Sequence, residues 1–323
     1  MSVQVSVSSS KKRPTGRTLS AEARRERRIA REKVVFNRLK WAFRVLAFSP
    51  RRAGALAERL FQRARRFRRP EWERAILASG TRFHYLGPDD VVMPATSWGE
   101  GPVVALMHGW EGRGSQLGAF VAPLVAAGFK VVAIDAPGHG DAPDGLANPM
   151  VFAETLRRLE HWMGGLHAVI AHSFGALGTA YAFYEGLTAA RVVLVAPATS
   201  PRVATETMAQ MLSLPPDIVG DLQRRLEKRV KLQLDDIENG RLFSHIACPV
   251  LVVHDVDDEE VSTDDAEAIA ATTDARVRWT RGLGHRRILR DPGVLARVTS
   301  FIEEAPRPRV DPWRSFLVDS SPF

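Results

Sequence analysis

The segment VIAHSFGALG, Val169–Gly178, ends an apolar, strand-like run on a serine and passes at once into small, helix-favouring residues. Ser173 has small neighbours two places to either side, Ala171 and Gly175. A strand that turns directly into a helix strains the backbone at the corner, and bulky residues at those two positions would clash. Such a corner lifts a hydroxyl clear of the sheet. It also aims the unpaired N–H groups of a helix end at any negative charge developing beside the oxygen. A neutral serine hydroxyl attacks an electrophile only with a base at hand. Other residues able to do chemistry follow apolar runs in the same way: His108, Asp135, the cluster Asp255 to Asp258, and His285. The ends of parallel strands are where open sheets bind ligands.

The elements that must hold these residues can be read from the rhythm of the chain. From about residue 80, strand-like runs alternate with helical ones: PVVALMHG, KVVAIDAPGHG, HAVIAHS and RVVLVAPA, then CPVLVVHD and ARVRWT. Helical stretches such as SQLGAFVAPLVAAG and MVFAETLRRLEHWM separate them. Strand–helix alternation predicts a mainly parallel, doubly wound α/β sheet with right-handed crossovers. Residues 198–246 break the rhythm with helical runs, and an insertion after the strand that follows the serine corner is where a small helical lid would sit. The segment 76–305 is thus expected to form the main domain.

Five motifs in order carry a resemblance to the α/β-hydrolase superfamily over roughly residues 80–303. AHSFG resembles its nucleophile elbow, with Ala171 where the first glycine is usual, and MHGW resembles its oxyanion segment. DAPGHG resembles its strand-4 exit loop, DDEEV its acid-bearing turn, and GLGH its histidine loop. The resemblance implies a Ser-His-Asp hydrolase of the esterase or lipase type, acting on a small-molecule acyl substrate without cofactor or metal. Carried over residue by residue, Ser173 is the nucleophile, His285 its base, and the backbone N–H groups of Trp110 and Phe174 the oxyanion donors. Asp258 matches the acid's spacing to a following aliphatic residue, Val261, with Asp257 and Asp255 as alternatives. His108, His139 and His172 fit structural roles in strand-end loops. A serine at the corner argues against the dehalogenase and epoxide-hydrolase chemistries of this fold, which use aspartate. Thioesterase, amidase, peptidase and C–C bond hydrolase activities fit the same residues. A catalytically silent binding protein on the same scaffold is the alternative from another class.

Charge is distributed unevenly. Residues 1–75 hold 22 Lys+Arg against 6 Asp+Glu, whereas the whole chain of 323 residues holds 45 against 37. The remainder is therefore mildly acidic, and the high pI belongs to the N-terminal segment. Residues 1–20 are polar, Ser-rich and basic, and are expected to be disordered; 21–75 read as a basic helical extension, and 306–323 as a loose tail. Phe36, Leu39, Phe43 and Leu46 recur at helical spacing, and GALAERLFQRARRF reads as a second helix ending before Pro70. The apolar stripe is expected to pack on the hydrolase domain or helix on helix. Peripheral contact with an anionic membrane through residues 21–69 is the second reading. No basic-aromatic motif argues for nucleic acid. A single cysteine, Cys248, excludes an intrachain disulfide and points to a cytoplasmic setting. No apolar run is long enough to span a bilayer.

Overall fold

The computed structural model describes residues 21–305, with side chains from Lys33 onward. The tails expected at 1–20 and 306–323 lie outside the described residues. Eight strands form one sheet: β1 (Thr81–Leu86), β2 (Val92–Trp98), β3 (Val103–Met107), β4 (Lys130–Ile134), β5 (Ala168–His172), β6 (Arg191–Val195), β7 (Val250–Asp255) and β8 (Arg276–Thr280). Their spatial order is β1-β2-β4-β3-β5-β6-β7-β8. The strands from β3 to β8 are parallel, while β2 runs antiparallel to both β1 and β4. Of the six parallel strands, β3 to β7 correspond to apolar runs in the sequence, while β8 reads RVRWT and is largely exposed. The β1–β2 hairpin does not stand out there, because β1 is largely exposed and carries little apolar signal.

Three helices precede the sheet or flank its entry: α1 (Ala21–Leu46), α2 (Pro50–Phe61) and α3 (Glu71–Ala78). Between strands lie α4 (Val121–Ala126), α5 (Pro149–Met163) and α6 (Phe174–Tyr184). After β6 come α7 (Pro201–Leu212), α8 (Pro216–Val230) and α9 (Leu234–Ile237), and after β7 come α10 (Thr263–Thr272), α11 (Gly284–Arg287) and α12 (Pro292–Glu303). Residues of α5, α6 and α10 pack on one face with Met107, Val169 and Val252. Residues of α4 and α12 pack on the other with Leu106, Ile170 and Val253. Consecutive strand residues thus enter opposite cores, which is why the strands read as unbroken apolar runs rather than alternating ones.

A third core lies apart from the sheet. Phe43 of α1 and Ala53 and Ala57 of α2 are buried with Ala209, Leu212, Ile218, Leu222 and Leu226 of α7 and α8, and Phe36, Leu39 and Leu46 pack against them. The stripe of α1 is therefore covered helix on helix, by the insertion that follows β6. Buried Glu58 reinforces the contact. It accepts from Arg229 Nε at 2.8 Å and from Gln62 Nε2 at 3.2 Å, with Arg225 3.8 Å away. Gln62, fully buried, bonds Asn148 at 3.0 Å and, through its carbonyl, the N–H of Ala147 at 2.8 Å.

The second helix, expected over GALAERLFQRARRF (54–67), ends instead at Phe61, and residues 63–70 form a strap without helical structure. Their arginines reach carboxylates on the loops after β3 and β4. Arg65 pairs with Glu111, Arg66 with Asp144, and Arg69 with Asp141 and Asp135. Tertiary pairing overrides the helix propensity of ARRF. Beneath the strap, Glu73 is buried and accepts from Arg113 Nη2 at 2.7 Å and Ser115 Oγ at 2.6 Å.

Candidate active site

The strand order reverses between β3 and β5, which lie side by side although they are separated in sequence by β4. A crevice opens at such a switch point, outside the carboxyl ends of the strands. Ser173 follows β5 there, and the loop from His108 to Gly114 follows β3.

Ser173 holds φ 53° and ψ −124°, a conformation that costs a non-glycine residue roughly 1–3 kcal/mol. The corner is braced from both sides: its N–H donates to Val195 at 3.0 Å and its carbonyl accepts from Ala176 at 2.9 Å. Two glycines allow the loop after β3 to press against it. A Cβ on Gly109 would lie 2.8 Å from the Ser173 Cβ, and one on Gly175 would lie 2.3 Å from the His108 carbonyl oxygen. Either added methyl would force the two segments apart. Phe174 is the first residue of α6, so its N–H has no partner within the helix. The N–H of Trp110 makes no hydrogen bond among the described residues.

His285 stands in the short helix after β8 and is buried. Its Nδ1 donates to Asp258 Oδ2 at 2.8 Å, which leaves Nε2 as the basic nitrogen. The other Asp258 oxygen accepts from the N–H groups of Glu260 at 2.8 Å and Val261 at 3.0 Å. Burial pushes the Asp258 carboxyl up, yet the hydrogen bonds from His285, Val261 and Glu260 outweigh it and hold the group below the usual carboxylate range.

The neighbouring aspartates do other work. Asp255 accepts from Thr280 Oγ1 at 2.7 Å and the Leu283 N–H at 3.0 Å, and Asp257 accepts from the Gly282 N–H at 2.9 Å. They tie together the two loops that carry Asp258 and His285. The structure thus joins Asp258, and neither Asp257 nor Asp255, to His285. The Ser173 hydroxyl makes no hydrogen bond among the described residues, and in unliganded sites such contacts often tighten only with substrate present.

The other histidines form the surroundings. His172 donates Nε2–H to the His285 carbonyl at 3.0 Å, with ring centroids 4.6 Å apart, so it holds the backbone of His285. His108 donates Nδ1–H to the Gly109 carbonyl at 2.7 Å and accepts at Nε2 from the Ala136 N–H at 3.0 Å. His254 bonds the Val261 carbonyl at 3.2 Å. Trp110 meets Phe61, His139 and Phe174 at ring-centroid distances of 6.4, 5.3 and 5.3 Å.

Burial first, and then the nearby His139, keeps His108 well below the ordinary histidine range. Burial and then His285 bring His172 down to about 3. Both rings must therefore stay neutral in the folded state, while in the unfolded chain they charge near their ordinary value of about 6.5. A base depressed on folding makes the unfolded chain bind more protons below that value, so stability falls as pH drops through it. With these two groups, and His139 and His254 also depressed by burial, unfolding free energy should decline by roughly 3 kcal/mol or more per pH unit once the pH falls below about 5.5. Thermal unfolding followed from pH 7.5 to 4.5 checks this; a midpoint unchanged between pH 6.5 and 5 would contradict it.

Sequence reasoning pointed to Ser173, His285 and Asp258 but not to the network that steadies the loop after β3. Glu111, next to Trp110, holds φ 54° and receives Arg65 Nε at 2.7 Å and Nη2 at 2.9 Å. Asp135 accepts from the N–H groups of Gly114 and Asp141, each at 2.7 Å. The opposite net charges of the N-terminal segment and the remainder were the available signal.

A parallel sheet with a strained serine between β5 and α6, and a histidine–aspartate pair beyond β7 and β8, defines a class. The model of the alpha/beta hydrolase family matches residues 103–298, more than half of the chain, and the chain belongs to that family. One curated relative, the pimeloyl-[acyl-carrier protein] methyl ester esterase of Methylococcus capsulatus, is 37% identical over 81 residues, 23% of this chain and 31% of that protein. The match thus spans under a third of the relative's length. Among solved structures, the Pyrococcus furiosus esterase Pf2001 is similar with a TM-score of 0.58 at 15% identity, covering 75% of this chain and 99% of that one. The esterase EaEST of Exiguobacterium antarcticum gives 0.54 at 12% identity, covering 68% and 98%. At such identities the likeness concerns the fold.

Proposed function

We propose that this protein is a serine hydrolase that cleaves an ester-like acyl bond through a covalent acyl-enzyme. The observation that carries the reading is the Asp258–His285 pair, 2.8 Å apart, in the same strand-end crevice as a serine held at positive φ. His285 Nε2 takes the proton of the Ser173 hydroxyl as its oxygen attacks the substrate carbonyl. The negative charge that forms on the carbonyl oxygen is met by the free N–H groups of Phe174 and Trp110. Collapse of the tetrahedral species returns the proton from His285 to the leaving group, and water repeats the sequence on the acyl-enzyme. Asp258 keeps the proton on Nδ1 and stabilises the imidazolium.

The helices of 198–246, joined by α1 and α2, serve in this reading as a cap beside the site. Support comes from Phe61, which packs against the cap core and also stacks on Trp110. Esterase activity is the preferred choice among acyl transfers because the curated relative is named as a methyl ester esterase.

A fluorophosphonate probe tests the reading. Labelling of the intact protein should map by mass spectrometry to Ser173 and be blocked by a hydrolysed ester. Absence of labelling, together with no turnover across esters of graded acyl length, thioesters and amides, would favour a silent binding protein.

A further inference from the structure

From Val34 to Leu46, helix α1 carries apolar residues on two opposite sides, and among the described residues only one side is covered. Phe36, Leu39, Phe43 and Leu46 face the cap core. Val34, Trp41 and Val45 recur at seven and four residues on the reverse side, and Phe48 extends the row past the helix end. These four are 51, 67, 52 and 96% exposed. A row of four large apolar side chains this exposed, broken only by Arg38, is uncommon on a free surface and marks an interaction site.

The charges around the row say what covers it. Arg38 lies within the row by helical position, Arg44 and Lys40 flank it, and Arg51 and Arg52 follow Phe48 at the start of α2. No ion pair is formed by any of these five among the described residues. Three of the strap's five arginines behave differently, since Arg65, Arg66 and Arg69 have carboxylate partners. Most of the strap's charge is thus paired within the molecule, and the charge around the exposed row is not. A second copy of the same face would bring like charges together.

We propose that this face of α1 is a docking surface for an anionic lipid bilayer, with Trp41 and Phe48 entering the headgroup region and the surrounding basic residues facing acidic lipids. Aromatic side chains favour that interfacial level, and a helix lying in the interface buries one apolar side while its basic residues meet the lipid charge. The other side stays on α7 and α8. The bilayer would therefore lie against the cap rather than against the sheet. This inference is independent of the hydrolytic reading.

Co-flotation of the full-length protein with vesicles is the test. Vesicles of phosphatidylcholine with 30% phosphatidylserine should carry the protein at low salt, whereas phosphatidylcholine alone should not, and raising the salt should release it. Trp41→Ser with Phe48→Ser should abolish flotation. Arg38→Gln with Arg44→Gln should weaken it about thirty-fold, since each basic residue near such a surface contributes roughly five-fold. Both variants should keep the wild-type melting temperature, because none of the four side chains is buried. The proposal fails if wild type ignores anionic vesicles at low salt, or if the Trp41/Phe48 variant floats like wild type. It fails equally if light scattering finds a dimer that the same variant dissociates, or if the face binds a DNA or RNA duplex and not vesicles.

Discussion

Ser173→Ala, His285→Ala and the double variant should each lose several powers of ten in kcat, and by nearly the same amount. In the proposed mechanism the two side chains act on one proton: without the base the hydroxyl is not a nucleophile, and without the hydroxyl the base has nothing to activate. Losses from residues that act as a unit do not add. Asp258→Asn should lose less than either, because the Asn side chain can still occupy the site and the oxyanion donors remain. Asp257→Asn should leave kcat near wild type, since that carboxylate bonds the Gly282 N–H and not the imidazole. Steady-state and single-turnover kinetics on whichever ester proves best will decide. Near-wild-type hydrolysis by Ser173→Ala would end the mechanism, and equal losses from Asp257→Asn and Asp258→Asn would reassign the acid.

Deleting residues 1–69 should remove the stable fold rather than a dispensable appendage. Surface ion pairs are a small part of this, since exposed pairs such as Arg66–Asp144 are worth about 0–1 kcal/mol each. The larger part is apolar. Phe43, at 2% exposure, fills the core between α1, α2 and the helices after β6, and loss of one such buried ring costs about 3–5 kcal/mol. Ile218, Leu222 and Leu226 would face solvent together. Asn148 would lose its bond to Gln62, and the loop bearing Trp110 would lose Phe61 and Arg65. The truncated protein should aggregate, or melt at least about 10 °C below the full chain. Differential scanning calorimetry with size-exclusion chromatography checks this; an unchanged melting temperature would show the extension to be independent of the hydrolase fold.

By itself the sequence determined those features that depend on local pattern. Five of the six parallel strands, β3 to β7, were legible as apolar runs because a strand buried on both faces is apolar at nearly every position; the exposed β8, RVRWT, was legible only from the strand–helix rhythm. The serine corner was legible because the strain at Ser173 demands small neighbours, and the order of serine, acid and histidine loops follows from the order of strands. Tertiary structure decided what depends on partners distant in the chain. It separates Asp258 from its alternatives, because five aspartates and glutamates crowd residues 255–260 and the meeting of the loops after β7 and β8 brings Asp258 to His285. It ends α2 at Phe61, against the helix propensity of the following residues, because the strap's arginines find carboxylates more than forty residues away. It also shows that, among the described residues, α1 from Val34 to Leu46 has one satisfied side and one open one. A sequence gives the spacing of apolar residues around a helix, but burial is a property of whatever lies opposite, and for α1 that is a pair of helices some 170 residues later in the chain.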